Sequence, residues 1–164
     1  MKNKGNNIKN AKQRGEWAEM RFMARAAEHG LQVSKPWGES ASYDFVVERG
    51  GTQCVKVQVK SIMHERDRGH HCSVRGGTQG TYADNSFDFL AVYLISLDQW
   101  YIIPTAQVGG QKGLFLSPKL RNSKYGQYKE AWHLLRGKPR GATVDRIEAC
   151  AAETQVVTQA TAWL

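Results

Sequence analysis

Cysteine is scarce in this chain, and Cys54, Cys72 and Cys150 show no CxxC spacing. That supports neither a disulfide framework nor a structural zinc site. His70, His71 and Cys72 are adjacent, but neighbours on a strand point to opposite faces and do not easily share one ion. No long apolar run is present, and the Lys/Asn-rich start has no apolar signal core, so a reduced, cytoplasmic setting is the default expectation. Acids are missing from two regions. Residues 1–14 hold five basic residues and no acid, and residues 110–140 hold eight against Glu130 alone. No Ser, Cys or Tyr nucleophile has a base at plausible spacing, which leaves covalent catalysis without a candidate.

The 164 residues suit one domain with a proper core. Lys and Arg exceed Asp and Glu by 23 − 15 = +8, which favours a polyanionic partner, because each neutralised phosphate releases counterions. The division expected is a basic arm over 1–14, a folded domain over 15–136 and a tail over 137–164.

Residues 15–29 predict a helix, with Ala18, Phe22 and Ala26 as an apolar stripe and Gly30 closing it. A short strand before Pro36, a turn over 37–43, a strand from Asp44 to Glu48 and a longer strand over 52–61 follow, the last two joined by a hairpin. Residues 62–86 read as a polar, Gly-rich loop or ribbon. A buried strand over 87–96 pairs with another over 100–104, and Lys124 to Leu135 carries a helical pattern. Residues 144–153 could form a further helix. Helix, mostly antiparallel strands, then helix gives an α/β or α+β class.

Chemistry concentrates on one polar face. Val55, Val57 and Val59 alternate with Lys56, Gln58 and Lys60, so Gln58 and Lys60 leave one side of the strand about 7 Å apart. Asp44 opens the neighbouring strand, and Glu16 and Glu19 share a helix face. Carboxylate, amide oxygen, lysine and helical glutamate could together hold Mg²⁺. Such an ion would neutralise a scissile phosphate and acidify a water, and Lys60 would orient or deprotonate that nucleophile.

In order along the chain, Gly15-Glu16-Trp17-Ala18-Glu19, Trp37 to Asp44, Val57-Gln58-Val59-Lys60, Phe87 to Tyr93 and Trp100 to Pro104 resemble the PD-(D/E)xK nuclease superfamily. Within it they are most similar to homing endonucleases of group I introns, and more distantly to Holliday junction resolvases. The resemblance implies a restriction-endonuclease-like core, a central mixed β-sheet flanked by helices. It implies a metal-dependent endodeoxyribonuclease using Mg²⁺ or Mn²⁺, with Asp44, Gln58, Lys60 and Glu19 catalytic and Asp44, Gln58 and Val59 at the metal. Tyr43 stands where the motif has proline, and Gln58 where it usually has a carboxylate. The homing branch itself carries glutamine there.

DNA is the partner this implies, for a homodimer or homotetramer, since two centres are needed to break two strands. The contact set expected is Arg14, Lys35, Ser40, Ser42, Tyr43, Ser61, Arg66, Arg68, Arg75, Lys119, Arg121 and Lys124, with Trp37, Tyr82, Tyr125 and Tyr128 as further aromatic candidates. Trp17, Trp100 and Trp132 are expected in the core, and Asp88 at a strand end. Alternatives stay open. Asp44 also suits a turn, Gln58 and Lys60 also suit a wet strand face, and Glu16 also suits a helix start. With Gln58 as a lesion, the same fold would be an inactive DNA-binding module; an RNA-processing role is a third possibility.

Overall fold

A computed structural model describes residues 7–38, 40–49, 53–66, 69–74 and 86–137. Helix α1 (Ala11–Glu28) starts where the Asn10 side chain accepts from the Lys12 and Gln13 amides at 2.9 and 3.2 Å. That cap moves the start four residues ahead of Gly15, so Ala11 to Arg14 belong to the helix and not to an arm. Gly15 sits inside the helix, and its poor propensity is outweighed by the cap ahead of it and the buried stripe behind it. At the other end Gly30 takes a φ of +70°, and the Leu31 amide returns to the Ala26 carbonyl at 3.0 Å.

The strands are β1 (Val33–Ser34), β2 (Phe45–Glu48), β3 (Cys54–Ile62), β4 (His70–Ser73), β5 (Phe89–Leu94), β6 (Gln99–Pro104) and β7 (Gly113–Leu116). Five form one sheet in the order β1-β2-β3-β5-β6. Among the described strands only β3 and β5 run parallel, so the sheet is mixed and the fold α+β. The stretch expected as loop or ribbon supplies β4, which pairs antiparallel with β7 as a separate ribbon.

Alternation on β3 divides the interior. Val55, Val57 and Val59 pack with Ala18, Phe22 and Ala26 of α1, together with Phe45, Trp100 and Trp132. The opposite face of β5 and β6, from Leu90, Val92, Tyr101 and Ile103, packs against Cys72, Leu114 and Leu116 of the ribbon and Val108 of α2 (Thr105–Val108). Strands β5 and β6 are thus covered on both sides, which explains their near-continuous apolar run. Trp100 and Trp132 are fully buried as expected, while Trp17 is half-buried against Tyr93, with ring centroids 5.7 Å apart.

The helix expected over 124–135 does not form. The chain makes a 3₁₀ turn at Gly126–Tyr128, then only α3 (His133–Arg136). Between them the Glu130 amide donates to the Trp100 carbonyl at 2.8 Å, and Glu130 takes a φ of +51°. Its carboxylate accepts from the Trp100 amide and the Trp132 indole at 2.7 and 2.8 Å. Docking on the end of β6 overrides the helical period. The possible helix over 144–153, the tail beyond 137, and Arg68, Arg75 and Tyr82 lie outside the described residues.

Candidate active site

The β2–β3 register places the central residues. Phe45 faces Val57, and one further step sets Asp44 opposite Gln58 on the face that β3 shares with Lys60. The Asp44 amide closes the ladder on the Val57 carbonyl at 3.0 Å. Asp44 Oδ2 in turn accepts from the Val59 amide at 2.7 Å and from Gln58 Nε2 at 2.5 Å. A turn aspartate would cap its own strand; this one reaches across and is fixed by two donors of the neighbouring strand. Gln58 is 8% exposed, which removes it from the solvated-face reading.

Burial pushes the Asp44 carboxyl above its ordinary range, and the Val59 N–H pulls it back. The Glu19 carboxylate pushes it up further, while Lys60 and Lys35 oppose that. Residues from α1, the segment after β1, β2 and β3 therefore meet in one electrostatic neighbourhood. Glu19 is held there by Lys35 Nζ at 2.7 Å.

The sequence family model for PD-(D/E)XK endonucleases matches residues 9–135, which span α1 through the C-terminal helical turns. The chain belongs to the PD-(D/E)XK endonuclease family. A solved bacterial homing endonuclease, I-Ssp6803I, is similar at 29% identity and a TM-score of 0.67, over 77% of this chain and 93% of that one. No curated protein matches the chain.

The donor chemistry of this endonuclease suits a hard divalent cation. No trio of His, Cys, Asp or Glu converges among the described residues. The oxygens on offer are the Asp44 carboxylate, the Gln58 amide, the Val59 carbonyl and, close by, Glu19. A half-buried carboxylate raised by burial and by a second carboxylate is what a cation would relieve. The β4 trio is a different matter. His70 and Cys72 are buried on one side while His71 faces outward, and burial pushes the Cys72 thiol up to about 12.

The expected DNA contacts divide. Arg14, Ser61 and Arg66 border one cavity beside Lys60. Ser40, Arg121 and Lys124 are exposed. Ser42 is exposed and donates to the Ser86 carbonyl at 3.2 Å, and Tyr43 is half-buried beneath the Lys56 ammonium. Lys35 and Lys119 are already paired, with Glu19 and Glu65. Asp88 is structural, its carboxylate accepting from the Lys56 amide at 2.7 Å. Sequence reasoning missed His71 and Ser73 on the same cavity. The alternation over 70–73 was the signal, hidden because that stretch lacks the apolar run of a central strand.

Proposed function

We propose that the protein is a divalent-metal-dependent endodeoxyribonuclease that hydrolyses DNA phosphodiester bonds in the manner of a homing endonuclease, as a homodimer or homotetramer. The observation that carries this reading is Asp44 Oδ2, fixed by Val59 and Gln58 within the field of Lys60 and Glu19.

Asp44, Gln58 and the Val59 carbonyl would hold the cation, which when bound supplies Lewis acidity beside the scissile phosphate. Gln58 and the Val59 amide fix the Asp44 rotamer, so the carboxylate is aimed before substrate arrives. Lys60 orients the attacking water and offsets charge that builds on the phosphoryl oxygens. Lys35 keeps Glu19 at the edge of the site instead of in bulk water. No side chain forms a covalent intermediate.

Supercoiled plasmid, random-sequence linear duplex and four-way junctions, each with Mg²⁺, Mn²⁺ or chelator, test the proposal. Metal-dependent nicking that disappears in Asp44→Ala and Lys60→Ala is expected. Cleavage surviving either substitution removes that residue from the reaction. Salt-sensitive binding without cleavage under any metal favours the inactive module instead.

A further inference from the structure

Beside the proposed centre lies a cavity of about 460 Å³, where the late part of β3, the start of α1 and the outer side of β4 meet. Lys60 belongs to its wall and so links it to the cleavage centre. Arg14, Arg66, His64 and His71 stand around it with the Ser73 hydroxyl, and among the described residues its wall contains no Asp or Glu. Glu65 falls between His64 and Arg66 in sequence, yet both its oxygens accept from Lys119 Nζ at 2.9 Å. That neighbouring acid is thereby neutralised. Arg14 is held in place, its Nη1 donating to the Ile8 carbonyl at 3.2 Å. The His71 ring lies over Gly113 on the paired strand, where a Cβ would stand only 2.7 Å from Nε2. Two guanidinium groups and the Lys60 ammonium around a recess partly walled by Ile62 and Met63 make it attractive to an anion.

We propose that this cavity seats a DNA backbone phosphate next to the scissile one, gripped by Arg14 and Arg66 and hydrogen-bonded by His71 and Ser73. Adjacency to the scissile bond rests on the nuclease reading above; the phosphate site itself does not. Guanidinium groups suit it because their forked donors match phosphate oxygens.

Anisotropy of a labelled DNA duplex, followed across a KCl series without divalent metal, tests binding apart from cleavage. Each lost phosphate contact lowers the slope of log affinity against log salt by about 0.9. Arg14→Ala and Arg66→Ala are each expected to show that drop and to weaken binding about tenfold, the usual scale for one charged hydrogen bond. Arg66→Lys should keep the slope, and His71→Ala should weaken binding at an unchanged slope. Arg25→Ala, near the far end of α1, should change neither. If Arg14→Ala melts early, Arg66→Ala, at an exposed position, decides. Unchanged slopes in the Arg14 and Arg66 variants overturn the proposal. So do an equal loss in Arg25→Ala, no DNA binding by the native protein, or tighter binding of a matched RNA duplex. Plasmid cleavage measured alongside separates the two readings. A slope loss without native cleavage sinks the nuclease reading alone, and cleavage with unchanged slopes sinks the phosphate site alone.

Discussion

Replacing Gln58 by glutamate puts a second carboxylate where Nε2 now donates to Asp44 Oδ2 at 2.5 Å. Two carboxylates about 4 Å apart, in an effective dielectric of about 20, repel by about 4 kcal/mol. Protonating one of them instead, from an ordinary glutamate pKa of about 4.3, costs about 3.7 kcal/mol at pH 7. The two routes agree, so Gln58→Glu should destabilise the metal-free protein by about 3–4 kcal/mol, or roughly 10 °C of melting temperature in a domain of this size. The repelled pair has a folded pKa raised above its unfolded value, so the deficit is full at neutral pH and shrinks as pH falls. At pH 5 the protonation route costs only about 1 kcal/mol. Excess Mg²⁺ should recover most of the loss and raise the variant's melting temperature more than the native protein's. Melting followed by circular dichroism at pH 7 and pH 5, in chelator and in Mg²⁺, reads all four values. A variant that melts with the native protein in chelator at pH 7, and gains nothing extra from Mg²⁺, would refute the placement of position 58 against the Asp44 carboxylate.

Other substitutions probe the same architecture. Because burial and Glu19 raise the Asp44 carboxyl, its ionised form costs stability at neutral pH, and the metal-free protein should gain stability as pH falls through that raised value. Asp44→Asn should flatten that gain, raise the metal-free melting temperature at pH 7, and abolish cleavage; a lower melting temperature would contradict the burial argument. Glu130→Ala leaves the Trp100 amide and the Trp132 indole without their acceptor, which should cost about 2–4 kcal/mol in urea unfolding. Phe22→Ala empties a fully buried site among Phe45, Trp100 and Trp132, and unfolding should show a loss of about 3–5 kcal/mol.

The sequence alone determined what local periodicity and ordered motifs can carry. Alternating valines put Gln58 and Lys60 on one side of β3, the 18-22-26 stripe chose the buried face of α1, and the motif order placed the chain in its nuclease family. Tertiary structure decided what depends on partners distant along the chain. Pairing of Glu130 with Trp100 on β6 displaced a helix that its own residues favour, whereas the Asn10 cap that lengthens α1, made to the Lys12 and Gln13 amides, is a local contact. Parallel pairing of β3 with β5, and the joining of β4 to β7 across some forty residues of chain, have no local signature, because their hydrogen bonds go to strands that sequence spacing does not reveal. The same holds for the recess shared by Arg14, Lys60, Arg66 and His71, which exists only once α1, β3 and the ribbon are packed together.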